Sequence, residues 1–371
     1  MGQPHARQLA DKQAIAEGAL GPGVHWLDPV AGPESGYRNR AKVVVGGLVD
    51  APTLGILDAA GEGVDLVGCG LYPPAITAAL EELRAFVVRA GLRPYDVPAR
   101  TGELKYLLVT CSPDEELMVR FVLRSTEALA RIRKHLPTLV ARLPRLAVAS
   151  VNVQPAHCAV LEGEREIALT DATELVMRLG EVELLLPARS FFQTSSLVAA
   201  ALYAQVADWA DDLAPALVWD LYCGVGGFAL HLASTGRRVV GVETSEAAVA
   251  AARRAAQRAR AEGVEFRTGD ATAFAVTAGA PPDLVVVNPP RRGLGPALAG
   301  WLQASGVRHV VYSSCNVVSM ARDLATMPGL RPRSARLLDM FPQTAHQEVV
   351  ALLERAQPPV GPSVSGPRTR V

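Results

Sequence analysis

Apolar and polar positions along this chain follow two rhythms that change over near Pro187. In the first, residues 9–20 carry a helical period closed by Gly21-Pro22-Gly23. Residues 42–45 and 53–57 read as strands separated by turn residues, and Pro73-Pro74 leads into a helical period over 75–90. Strands follow at 104–110 and 117–123, then an Arg-rich helix at 126–143, then strands at 147–153 and 157–161. This mixture reads as antiparallel strands with helices, an α+β arrangement without internal repeats.

The second rhythm alternates. A helix over 197–213 precedes a buried strand at 217–222, a glycine turn at 224–227 and a helix ending near 233. Strand 238–243, helix 245–261, strands 264–267, 284–287 and 310–313, and helix 318–327 continue it. The unbroken apolar run at 284–287 is what a strand covered on both faces requires. Strand and helix taking turns at this spacing predict a doubly wound α/β sheet. The expected fold class is α/β, with a Rossmann-like C-terminal domain preceded by an α+β domain. Expected boundaries are a lead at 1–30, the α+β domain at 31–186, the Rossmann-like domain at 187–356 and a tail at 357–371. The Pro, Gly and Ser content of that tail predicts disorder.

A chain of 371 residues, 49% of them hydrophobic, can bury the cores of two domains. Its 37 Lys and Arg balance 37 Asp and Glu, so attraction to a polyanion must come from local patches. One patch runs from Met118 to Ala149, with seven Arg or Lys and the single acid Glu127. Arg38, Arg40 and Lys42 form a second. Cysteines stand at 69, 111, 158, 223 and 315, an odd and scattered set that predicts reduced thiols in the cytoplasm. No apolar run reaches the roughly 18 residues of a membrane span, so a soluble protein without a membrane partner is expected.

Candidate chemistry begins at Asp220-Leu-Tyr-Cys-Gly-Val-Gly-Gly-Phe228, where a strand meets a glycine turn and a helix. Glycines let the backbone approach a ligand, and the helix start adds positive potential. Glu243 ends the next strand, nineteen residues after Gly224, where a carboxylate can accept ribose hydroxyls. The spacing Gly224-Val-Gly226-Gly-Phe-Ala229 also satisfies a dinucleotide pattern, so NAD competes for this site. Asn288-Pro289-Pro290, at the end of an apolar strand, favours S-adenosylmethionine instead: an (Asn/Asp)-Pro-Pro loop stiffens the backbone beside a methyl donor. Arg291-Arg292-Gly293 follows, in place of the aromatic that exocyclic-amine methylation uses for stacking.

Cys315 is delivered by the strand-like run before it to the start of a helix, where amide dipoles favour a thiolate. A methyl transfer that needs a thiolate is one to C5 of uracil, a weak carbon nucleophile until a thiolate adds to C6. A base must then remove the C5 proton, and Glu348 is the expected acceptor, on a strand beside that of Cys315. His346 is either its support or structural. Phe191 or Phe341 is expected to face an unstacked base. Cys111, Cys158 and Cys223 read as structural.

Six ordered motifs carry a resemblance. Phe191-Phe-Gln-Thr194, Asp220 to Phe228, Asn288-Pro-Pro-Arg-Arg-Gly293, Tyr312-Ser-Ser-Cys-Asn316, Met320-Ala-Arg-Asp323 and Asp339-Met-Phe-Pro-Gln-Thr-Ala-His-Gln-Glu348 together resemble the RNA uracil-C5 methyltransferase family. The likeness runs from about Gln8 to Leu353 and includes Gly36–Lys42, Gly102–Tyr106 and Arg120–Arg124. It implies Cys315 as nucleophile, Glu348 as base, and donor contacts at Gln193, Tyr222, Glu243 and Asn288. Asn288 replaces an Asp common in the family, and this points to the branch that methylates 23S rRNA, acting as a monomer. A tRNA substrate, or an RNA-binding assembly role without catalysis, are the alternatives. The resemblance also implies a 4Fe–4S cluster, held by three N-terminal cysteines and one further along. Only the fourth position persists here, as Cys69, and a cubane needs four ligands. No cluster is therefore expected in this chain, whose Met1 aligns inside the family's N-terminal segment, as a shortened start would.

Overall fold

The computed structural model describes residues 2–158 and 160–356, so the tail expected at 357–371 lies outside the described residues. Helix α1 (His5–Leu20) and the short β1 (His25–Trp26) come first. Next are β2 (Arg40–Gly47), β3 (Pro52–Leu57), β4 (Gly63–Asp65), α2 (Pro74–Arg89), β5 (Leu104–Cys111), β6 (Leu117–Leu123), α3 (Leu129–Arg142), β7 (Leu146–Val153) and β8 (Arg165–Ala168). Strands β2 to β8 form one seven-stranded sheet in the order β4-β3-β2-β5-β6-β7-β8. Alternation decides its faces. Ala41, Val43, Val45, Leu107, Val109, Val119 and Phe121 point to one side, where they pack with Ile76, Leu80, Leu83 and Phe86 of α2 and Ile132 and Leu139 of α3. Residues between them, among them Arg40, Lys42 and Arg120, therefore belong to the opposite side.

Two expectations fail in this half. The strands are not all antiparallel: β6 and β7 pair in parallel, because α3 makes the crossover that returns the chain in the same direction. The described residues among 157–161 hold no strand; the antiparallel partner of β7 is β8, further on. Asn152 explains the shift. Its side chain accepts from the Gly163 amide at 2.7 Å and donates to the Gly163 carbonyl at 3.1 Å, which closes a loop before pairing resumes. Cys158 lies in that loop and is exposed. A hairpin follows, β9 (Glu174–Leu179) and β10 (Val182–Pro187), turning at Gly180 with φ 60°. Its Leu175, Met177, Leu184 and Leu186 share a core with Val198, Leu202 and Val249 of the chain beyond it.

The second half contains α4 (Ser196–Leu213), β11 (Leu217–Leu221), α5 (Gly227–His231), β12 (Arg238–Glu243), α6 (Glu246–Ala259), β13 (Val264–Thr268) and α7 (Ala271–Thr277). It continues with β14 (Leu284–Val287), α8 (Pro296–Ala304), β15 (His309–Ser314), α9 (Val317–Ala325), β16 (Leu330–Leu338) and β17 (Glu348–Arg355). The sheet order is β1-β16-β17-β15-β14-β11-β12-β13. Strands β13 to β15 are parallel, and β17 inserts antiparallel between β15 and β16. All four residues of β14 are buried, as a strand sandwiched between two helical layers must be. From β11 the chain first builds outward through β12 and β13, then returns to build β14 and β15 on the other side. That switch opens a crevice at the carboxyl ends of β11 and β14. The segment from α1 to Val30 packs with this sheet: β1 is its edge strand, parallel to β16, and Ala16 of α1 enters its core. No helix among the described residues is long and apolar enough to cross a membrane.

Candidate active site

Glu243 shows how the crevice is organised. It ends β12, and its Oε2 accepts the Gly224 amide at 3.2 Å. Its Oε1 accepts the Thr244 hydroxyl and the Ser245 amide, both at 2.9 Å. Three donors thus aim one carboxylate at the glycine turn. Within that turn Tyr222 has φ 67° and Gly224 φ 54°, so the chain doubles back immediately after β11. A Cβ on Gly224 would meet nothing within 4 Å, whereas one on Gly226 would stand 2.7 Å from the Phe266 ring. Gly226 is thus small for packing, and Gly224 leaves the crevice side open. The helix after the turn, α5, has only five residues, so the turn's own amides matter more here than a helix dipole.

Asp220, at the end of β11, is fully buried. One oxygen accepts the Ala229 amide at 2.9 Å and the other has no partner. Burial pushes its carboxyl up to about 8. Thr194 Oγ1 and Gln347 Oε1 are buried without partners as well. Orphaned polar atoms of this kind call for a ligand or water. Tyr222, Glu243 and Asn288 come to the carboxyl ends of three neighbouring strands, β11, β12 and β14. Gln193 arrives from the loop before α4, where the Asn39 side chain grips its carbonyl at 2.9 Å and the Ser196 hydroxyl at 2.9 Å.

Cys315 and Glu348 meet through strand register. Strands β15 and β17 pair Ser313 with Val350 and Ser314 with Val349, so the next antiparallel step sets Cys315 opposite Glu348. Glu348 is buried, takes the Ser313 hydroxyl at 2.5 Å and is pushed up to about 7 by burial. That hydrogen bond comes from Ser313, not His346; the His346 ring is exposed and packs edge-on to Phe341 at 6.0 Å. The half-buried Cys315 thiol is pushed up on balance, by burial and by the Glu348 charge, against the opposing pull of the nearby Arg291 guanidinium. Asn316 caps α9, with Oδ1 accepting the Val318 amide at 3.1 Å, and its Nδ2 donates to the Arg291 carbonyl at 3.2 Å.

Arg291 is the residue that sequence reasoning missed, since it was weighed only as a missing aromatic. Position in a loop beside a thiol carries no pattern of its own. Asp323, on α9, accepts the Leu294 amide at 2.7 Å and the Tyr312 hydroxyl at 2.8 Å, and so ties the Arg291 loop to the Cys315 strand. Above Cys315 lies a cleft of about 290 Å³, lined by Ile15, Arg291, Asn316, Val318, His346 and others. A larger cleft of about 850 Å³ lies against residues such as Glu181, Arg237 and Glu262 and touches none of these groups.

The chain is similar to proteins of known activity. Residues 218–290 match a family described as "Methyltransferase domain". The chain is 49% identical over 363 residues to the 23S rRNA (uracil(747)-C(5))-methyltransferase RlmC of Halothiobacillus neapolitanus, covering 96% of each chain. Its identity to the protein of that name from Serratia proteamaculans is 47% over 356 residues, 95% of each. This chain belongs to the RNA uracil-C5 methyltransferase family. A solved member, the tRNA (uracil-54, C5)-methyltransferase of Pyrococcus abyssi in complex with S-adenosyl-L-homocysteine, superposes with a TM-score of 0.78 at 27% identity. That match covers 94% of this chain and 83% of the other.

As an RNA uracil-C5 methyltransferase the molecule needs a methyl donor, and the crevice fits S-adenosylmethionine: an aimed carboxylate, an open glycine and an orphaned Asp220 oxygen. An iron–sulfur cluster is not supported by the donor set. Cys69 sits in a turn, and among the described residues no three His, Cys, Asp or Glu side chains gather to hold a metal.

For RNA, the family member offers two basic surfaces. Of the seven cations from Met118 to Ala149, Arg120, Arg124, Arg131, Arg142 and Arg145 are paired with glutamates, which leaves Arg133 and Lys134 on α3. On the opposite sheet face, Arg40 donates to the Ser190 carbonyl at 3.3 Å, beside Phe191, which is 73% exposed. Burial, then the nearby Arg120, push Arg40 down to about 10. Lys42 is pushed down by burial and by Arg40. Glu162 and Glu166 pair with Arg120 on this face, so Arg40, Lys42 and Arg38 are the cations it offers to an anion.

Proposed function

We propose that this RNA uracil-C5 methyltransferase acts on 23S rRNA at the uridine its bacterial relatives are named for, uridine 747, with Cys315 as nucleophile and Glu348 as base. The register that sets Cys315 opposite the buried Glu348 carries this reading. Cys315 Sγ adds to C6 of the uracil, and the C5–C6 π electrons move toward C4–O4 as an enolate. Gln193, Tyr222, Glu243 and Asn288 would hold S-adenosylmethionine, which when bound would supply the electrophilic methyl that C5 takes up, the S–C electron pair returning to sulfur so that S-adenosylhomocysteine leaves. Glu348 then accepts the C5 proton, the electron pair re-forms C5=C6, and Cys315 leaves as thiolate. Arg291 supports the thiolate at both ends of the sequence, because its side chain favours the anion. Glu348 at about 7 is suited to receive a proton near neutrality.

Ribosomal RNA as substrate puts the work in the cytoplasm, and one chain supplies every proposed group, so the enzyme is read as a monomer. The solved tRNA enzyme keeps tRNA as the rival substrate, but relatives at 47–49% identity favour 23S rRNA. The test is an RNA fragment around uridine 747 carrying 5-fluorouridine. The wild-type chain forms a denaturation-resistant adduct that Cys315→Ala does not. An adduct that persists in Cys315→Ala, or forms only with tRNA, overturns the proposal.

A further inference from the structure

Helix α1 carries a stripe that a surface helix has no packing reason to bury. His5, Gln8, Lys12 and Ile15 are spaced so that they share one face. Lys12 is buried, with Nζ 2.7 Å from Asp339 Oδ1 and 3.1 Å from the Phe341 carbonyl. Asp339 is wholly buried, and its other oxygen meets His5 Nε2 at 2.8 Å. Gln8 donates to Gln343 Oε1 at 2.8 Å and accepts the Gln343 amide at 3.1 Å. Gln343 holds φ 63°, a conformation that side chains other than glycine rarely adopt. Ile15, 60% exposed, lies in the wall of the Cys315 cleft.

These contacts converge on one connection. Residues 339–347 link β16 to Glu348, and Leu338 pairs with Glu348 in the sheet, so Asp339 and Gln347 are the two feet of the loop. Helix α1 grips the first foot and the crest at Gln343. The second foot brings Ala345, His346 and Gln347 into the cleft. A buried ion pair adds little net stability over apolar packing, because desolvation offsets the attraction. What it adds is a fixed position.

We propose that Lys12 is a positioning residue for Glu348: through Asp339 it sets the loop that places the base for proton removal. This role rests on the reaction proposed above. Cys315 is held by β15 and the α9 cap, and Lys12 bonds only to Asp339 and the Phe341 carbonyl, so loosening the loop should slow the second half of the reaction and spare the first.

The experiment compares the wild-type chain with Lys12→Met, Lys12→Arg and Gln8→Ala. Two rates are measured: adduct formation with 5-fluorouridine RNA, and steady-state methylation of the uridine RNA. In Lys12→Met, adduct formation stays within about twofold of wild type while turnover falls on the order of tenfold or more. Covalent protein–RNA complex then accumulates on the uridine substrate, and Lys12→Arg restores release. Gln8→Ala shows the same split more weakly and decides the matter if Lys12→Met does not fold. Unchanged turnover, or both rates falling together without rescue by Lys12→Arg, overturns the proposal. A wild-type chain that forms no adduct overturns the reaction itself, and this role with it.

Discussion

Glu348 is a carboxylate kept where its charge is costly. Its folded value of about 7 stands above the ordinary 4.5, so the folded protein holds that proton more tightly than the unfolded chain does. The stability this brings is full below about 4.5 and is lost as pH rises through about 7. Glu348→Gln removes the charge and keeps the shape. At pH 8 the variant should therefore be more stable than wild type, by up to about 3 kcal/mol, and the gap should shrink toward pH 5. Thermal melts across that range check it; a gap independent of pH contradicts it. The same variant should trap RNA covalently, because the proton acceptor is gone. Cys315 and Glu348 stand out as candidates in the sequence because each lies at a strand boundary inside a motif, Cys315 just after β15 and Glu348 at the start of β17. Arg291 was not, because its role comes from a fold that returns its loop to the thiol. The unpaired oxygen of Asp220 was equally invisible, since a sequence shows no missing partner.

At the level of elements, the loop from Asn288 to Leu294 is shaped by one glycine. Gly293 has φ 89°, and a Cβ there would stand 2.3 Å from Asp323 Oδ2. Gly293→Ala should cost on the order of 1–3 kcal/mol through backbone strain, and the loop it displaces carries Arg291. Because Arg291 pulls the Cys315 thiol down, its withdrawal leaves the thiol higher. Adduct formation should then slow, and its dependence on pH should move to the alkaline side. Stopped reactions from pH 6 to 9 read this directly, and an unmoved profile would show that Arg291 does not govern the thiol. Element prediction was strongest where burial on both faces makes a strand uniformly apolar, as at Leu284–Val287, predicted as observed. It failed where long-range pairing decides. The two-residue β1 exists only because β16 offers it an edge. The strand expected at 157–161 yields to a loop that Asn152 closes, and β8 pairs with β7 further on, while the β9–β10 hairpin forms a sheet of its own on a core shared with α4 and α6.

Across the whole molecule, the two basic surfaces lie on opposite faces of the seven-stranded sheet. Only one of them adjoins the loop that ends at Gln193. The α3 surface lies on the far side, in the layer packed with α2. The net charge of zero makes long-range steering weak, so RNA must be held by cations near the path of its backbone. Lys42 and Arg38 stand on or beside the face where Arg40 holds Ser190, next to the exposed ring of Phe191. A base unstacked toward the cleft could rest on that ring while adjoining phosphates meet the cations. Replacing Arg38 and Lys42 together by Gln should weaken RNA binding and reduce the slope of log affinity against log salt by about 2, one for each lost phosphate contact. Replacing Arg133 and Lys134 by Gln removes the same charge from α3 and should leave that slope within error of wild type. Binding isotherms at several salt concentrations distinguish the faces. If the α3 pair flattens the slope and the sheet pair does not, the RNA crosses the helical layer and must reach Cys315 around the edge of the sheet.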